Sequence, residues 1–176
     1  MSEPTKAVFE IVIRGSIEAV WNEITKTDEP QGAIFNMQMH TPGLAVGAPL
    51  QMRTANNKYV GMVGEVLEYD PPRRFVHTHK FTQYDDPVCK VIYELKPEGD
   101  SVRFTLTVEG LTPGTKTSKQ MVMGGPMITR TLKAIVETGR PTFGTRLLYA
   151  MFKLFEPFSP KSIRSENWPL QPRTKR

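Results

Sequence analysis

Residues 63–81 read VGEVLEYDPPRRFVHTHKF. On either side of Asp70-Pro71-Pro72-Arg73 lies a run of valine, tyrosine, phenylalanine and other residues that suit a pleated, half-buried surface. Proline lacks the donor that a sheet interior needs, so the Pro-Pro pair marks a turn between two strands, expected at 60–69 and 74–81. In the second strand a period of two puts Phe75, His77, His79 and Phe81 on one face.

Outward from this hairpin the same reading repeats. Strands are expected at 7–14, 50–55, 88–96 and 102–109, separated by the turn compositions NNK, YDDP and PEGD. Such short connections imply an antiparallel meander. Ser16 is placed as the N-cap of SIEAVWNEIT, where Ile17, Val20, Trp21 and Ile24 recur at helical spacing. Residues 28–47 are rich in Pro and Gly, with a second short helix expected around GAIFNM. After Gly110 the stretch SKQMVMGGPMITRTLKAIVET carries Met123, Met127, Leu132, Ile135 and Val136 along a helical stripe, with Gly124-Gly125-Pro126 expected to delay or kink the helix. The class is α+β: one curved antiparallel sheet of about six strands and one long C-terminal helix, followed by an extra C-terminal helix.

Composition narrows the function classes. A chain of 176 residues can bury a sizeable single core. The net charge of +5 sits largely in KSIRSENWPLQPRTKR, which holds one acid, so it is a property of the tail and not a nucleic-acid footprint. Cys89 is the single cysteine, which excludes an internal disulfide. The start, MSEPTKAVFE, lacks the pattern of a secretion signal, and no apolar run could span a bilayer, so a cytoplasmic location is expected. There is no Walker loop, dinucleotide glycine fingerprint, HExxH or nucleophile elbow, and no cofactor is expected.

Strand, helix, meander and terminal helix is the order of the helix-grip fold. GSIEAVWNEIT resembles the start of the polyketide cyclase and START-like (SRPBCC) superfamily, particularly the branch related to the activator of the Hsp90 ATPase. VGEVLEYDPPRRFVHTHKF is similar to that branch's Gly-x-Val-x-Glu, Asp-Pro-Pro-Arg-Arg and following strand, and VIYELKPEGDSVRFTLTVEGL resembles its last hairpin. The resemblance covers residues 7–139 and implies a pocket between the long helix and the sheet. The superfamily includes ligand carriers, cyclases, lipid transporters and chaperone regulators, so the likeness speaks to fold more than to function. Where related sequences often have Thr-Trp, this chain has Thr78-His79, a titratable group in place of a bulky apolar one.

Keeping Lys90 and Glu94 outside sets Cys89, Val91, Tyr93 and Leu95 beside the histidine face, with His77 expected opposite Tyr93 and His79 opposite Val91. The next strand sends Val102, Phe104, Leu106 and Val108 to the same side. The expected ligand-binding residues are thus Phe75, His77, His79, Phe81, Val91, Tyr93, Phe104 and Leu106, with Met123 and Met127 from the helix and Met121 expected to line or plug the pocket beside them. A buried imidazole needs a partner or water, since leaving it unpaired costs about 1–3 kcal/mol. The two histidines therefore either shape the wall of a pocket for a small hydrophobic molecule, or act as acid/base groups of a cyclase, dehydratase or hydrolase with Tyr93 as donor. An orienting carboxylate would come from Glu65 or Glu68, of which at most one points inward. A metal is not expected, because two ligands at i and i+2 need a third from His40 or a glutamate. A chaperone-associated regulatory role follows from the resemblance alone.

The expected helix-grip domain spans residues 1–140 and a helical extension with a basic tail spans 141–176. In RPTFGTRLLYAMFKLFEPFSP, residues Phe143, Leu147, Met151, Leu154 and Phe158 form one stripe, with Leu148, Phe152 and Phe155 beside it. Such a stripe needs cover, and the options are the domain itself, a second copy in a homodimer, or a membrane surface, in that order.

Overall fold

The computed structural model describes residues 5–170. Residues 171–176, which end the basic tail, lie outside the described residues. The elements in chain order are β1 (Lys6–Arg14), α1 (Ile17–Thr25), β2 (Gln38–His40), β3 (Pro49–Arg53), β4 (Val60–Asp70), β5 (Arg74–Phe81), β6 (Cys89–Glu98), β7 (Ser101–Glu109), α2 (Lys116–Thr138) and α3 (Phe143–Phe155), followed by three single 3-10 turns. All neighbouring strands pair antiparallel in the order β1-β7-β6-β5-β4-β3-β2. The sheet has seven strands, one more than the sequence suggests, because the short β2 adds to the β3 edge.

The inner face of the sheet is built from rows of directly opposed side chains. One row runs Tyr69, Phe75, Tyr93, Leu106, and the next runs Val66, His77, Val91, Val108. A third crosses β2 to β5 as Met39, Met52, Met62, Phe81. The outer face is held in water by ion pairs: Arg74 with Glu68 and Glu94, Arg103 with Glu10 and Glu98, and Glu109 with Lys6 and Lys90. Opposite-charge neighbours of this kind reinforce the register by a few tenths to about 1 kcal/mol each.

α1 begins where Ser16 accepts a hydrogen bond from the Ala19 N–H, and buries Val20, Trp21 and Ile24. α2 is capped by Thr115 and closed by Gly139 at φ 82°. It runs unbroken through Pro126, so the Gly-Gly-Pro triplet neither delays nor ends it. The glycines have a different use. A Cβ on Gly125 would stand 2.2 Å from the Phe9 ring, so the helix approaches β1 there as only glycine allows. The helix expected at residues 32–37 is absent. Phe35 and Asn36 have φ of 53° and 56°, which turns the chain so that the Gln31 N–H donates to the Met37 carbonyl in a single bridge, while the Met37 N–H donates to the Ile34 carbonyl.

The β5–β6 register also differs from expectation. His77 faces Val91 and His79 faces Cys89, while Phe75 faces Tyr93. The connecting loop takes up Val88, leaving Cys89 to close the ladder; the slip is two residues, so every side chain keeps its face.

Candidate functional site

A cavity of about 910 Å3 lies between the inner face of the sheet, α2 and α3. Val91, Leu106 and Val108 form part of its floor, and Met52, Met62 and Phe81 extend the floor toward the β2 edge. α2 contributes Met121, Gly124, Gly125 and Ile128. The exposed residues Asn56, Gln83, Gln120 and Lys153 border its rim.

α3 covers one side. Its Tyr149 hydroxyl donates to the Gly32 carbonyl at 2.7 Å, and Phe152 and Phe155 line the cavity beside it. Glu156 accepts a hydrogen bond from the Asn56 side-chain amide. Beyond the helix the chain is fastened to the β3–β4 hairpin: Tyr59 bridges Arg164, the Ser165 N–H donates to Lys58, and Gln51 donates to the Trp168 carbonyl.

Polar groups interrupt the apolar floor along β5. His77 is buried, and its Nδ1 lies 2.8 Å from the Thr78 carbonyl. A carbonyl only accepts, so Nδ1 carries the proton, and in the neutral ring Nε2 is left as an acceptor. Removal from water drops the His77 pKa from 6.5 to about 4. His79 stacks edge-on against Phe81 at 4.6 Å, and its Nε2 is buried without a partner. Burial, with His77 adding a smaller like-charge effect, drops its pKa to about 3. Tyr93 lines the cavity 5.9 Å from the His77 ring, and burial holds its phenol protonated far above neutral pH. All three groups are therefore neutral near pH 7.

The carboxylate that would orient a histidine is not there. Leu67 is the extra residue of a β-bulge between the Val66–His77 and Glu68–Val76 pairs, and it resets the side-chain parity of β4. Glu65 therefore faces out before the bulge and Glu68 faces out after it, where Glu68 pairs with Arg74. His40 sits on β2 with a buried, unpartnered Nε2 and does not line this cavity. No three His, Cys, Asp or Glu converge as a metal site among the described residues.

Of the residues expected in the site, His77, His79, Phe81, Val91, Tyr93 and Leu106 line the cavity. Phe75 and Phe104 lie in the core beneath it, wholly buried. Met123 and Met127 do not reach it. They border a separate surface groove of about 290 Å3 with Arg130, and Met123 is 70% exposed. One residue per helical step decides this, because Met121 and Ile128 occupy the inward face of α2 instead. Met39, Met52 and Met62 also line the cavity; the alternation that places Val66 inward puts Met62 on the same face, with Met52 directly opposite it.

Comparison with solved structures places the fold. CalU16 from Micromonospora echinospora superposes with a TM-score of 0.62 at 16% identity, over 83% of this chain and 82% of that one. DynU16 from the dynemicin biosynthetic locus gives 0.65 at 17%, over 78% of this chain and 49% of that one. The Aha1 dimer from Colwellia psychrerythraea gives 0.61 at 16%, over 77% and 98%. At such identities the likeness is one of fold. The comparison with curated protein sequences gave no match. The family model described as activator of Hsp90 ATPase homolog 1-like protein matches residues 4–137, and the chain belongs to that family.

Proposed function

We propose that the protein binds a small hydrophobic molecule bearing a hydrogen-bond donor in the cavity between sheet, α2 and α3. The observation that carries this reading is the pairing of a roughly 910 Å3 apolar cavity with uncharged polar groups on its floor. That volume is in the range of small-molecule sites, and apolar walls with a few placed polar groups are their usual make-up. The His77 Nε2 is an acceptor with no partner among the described residues, so a ligand hydroxyl or amide N–H satisfies it. Five methionines, at 37, 39, 52, 62 and 121, line the cavity and accommodate varied apolar shapes.

The same geometry weighs against acid/base chemistry. An imidazole held near pKa 4 is a weak base at neutral pH, and neither Glu65 nor Glu68 faces it. In this reading residues 5–140 are the binding frame and 141–170 its cover.

Native mass spectrometry of the purified protein reads a co-purified ligand directly. Anilinonaphthalene sulfonate serves as the probe for a titration. Saturable one-to-one fluorescence enhancement is expected, and Val91→Trp, which fills the floor, should weaken it by about tenfold or more. Equal binding by Val91→Trp and the parent chain would place the probe elsewhere and remove the proposal.

A further inference from the structure

We infer that the outer face of α3 docks on an anionic lipid surface, so that the helix covering the cavity is also the membrane-facing element. The stripe Phe143, Leu147, Met151, Leu154 and Phe158 is unpartnered: these side chains are between 48% and 83% exposed. The helix is held from its other side by the Tyr149 hydrogen bond, while Phe152 and Phe155 border the cavity and stay about half exposed. The apolar stripe is therefore presented outward by a helix whose attachment to the domain runs through Tyr149 and, just past its end, Glu156.

Charge decides between the available covers. Arg146 lies over the Phe143 ring at 5.9 Å, which puts a guanidinium at the border of the stripe, and Lys153 follows two turns later on that side, where it also borders the cavity rim. Neither forms an ion pair among the described residues. Arg140 and Lys161 add exposed cations at either end. α3 itself contains no acid, and Glu156 just after it is engaged by Asn56. In an isologous dimer the patch meets itself, residue i against j and j against i, so a patch whose charges are all cations sets cations against cations without an acid between them. A lipid surface of phosphates meets the same pattern with opposite charge, while Phe and Leu side chains enter the acyl boundary and Arg and Lys reach back to the headgroups. No helix of the described residues is long and apolar enough to cross a membrane, so α3 lies in the interface plane. The ligand-binding reading bears only on what passes beneath the helix; the docking stands on the stripe and its cations.

Flotation of the full chain with vesicles of phosphatidylcholine alone, and of equal parts phosphatidylcholine and phosphatidylglycerol, tests this. Partitioning to the anionic vesicles is expected to exceed that to neutral ones by about tenfold or more, and to weaken with added salt. The double variant Leu147→Glu/Leu154→Glu should lower it on the order of a hundredfold, with melting temperature and anilinonaphthalene sulfonate binding retained. Absence of the chain from both vesicle fractions overturns the inference, as does equal partitioning of parent and variant. A sedimentation-velocity dimer that the double variant dissolves, without vesicle binding, assigns the stripe to a second copy and overturns it too. Vesicle binding that persists where probe binding is absent upholds the docking and removes the ligand reading instead.

Discussion

His77 ties stability to pH. Its imidazole is neutral when buried and ordinary when unfolded, so between pH 6.5 and about 4 the unfolded chain binds a proton that the folded chain refuses. The unfolded state thus binds more protons in this window, and stability rises with pH across it. The stability that His77 contributes is complete above pH 6.5 and is lost as pH falls toward 4, by roughly 3 kcal/mol for this group alone. His79 pushes in the same direction. Urea unfolding at neutral pH and in acid measures this, and His77→Gln, which cannot take up the proton, is expected to flatten the slope. A smaller effect is expected at Tyr149. Tyr149→Phe removes the hydrogen bond to Gly32 and should cost about 1 kcal/mol, read as faster amide exchange along α3 with the sheet unchanged.

At the scale of elements, α2 and α3 obey different rules. α2 carries two glycines and a proline in mid-helix, which on propensity alone argue against it. Tertiary packing overrides that, because Gly125 lets the helix press on Phe9. Gly125→Ala would gain up to about 1 kcal/mol in an isolated helix, yet here its methyl meets a ring on β1. A net loss of about 1–3 kcal/mol is expected, visible as a lower urea midpoint with unchanged helix content. α3 has no such conflict. Its sequence period called for cover on the stripe through Phe143 and Leu147, but the side that meets the cavity is the one through Tyr149 and Phe152. Nothing in the hydrophobic period distinguishes these two sides of the helix, since both are rich in large apolar residues; the anchoring of residues 163–168 on the β3–β4 hairpin selects between them.

For the whole molecule, occupancy of the cavity should appear as stability. A ligand that binds only the folded chain adds about 2.7 kcal/mol at a hundred times its dissociation constant, which for a chain of this size raises the melting temperature by roughly 5–10 °C. Differential scanning fluorimetry with candidate apolar compounds reads that shift. Val91→Trp, with the floor filled, should show little of it while remaining folded.

The sequence by itself determined the strands, their turns and which side chains share a face, because a period of two is a local property and survives a two-residue slip in pairing. It therefore placed His77, His79, Val91, Tyr93 and Leu106 on the inner face. Three things were settled only when the chain folded back on itself. The bulge at Leu67 turned Glu68 outward to join Glu65, which faces out before it, since one unpaired residue reverses parity for everything after it. The rotation of α2 about its axis admitted Met121 and excluded Met123, a distinction fixed by contact with Phe9 and Phe35. The cover of the cavity came from α3, more than sixty residues beyond the histidines of β5, in a segment tied down by backbone hydrogen bonds that carry no signature in residue type.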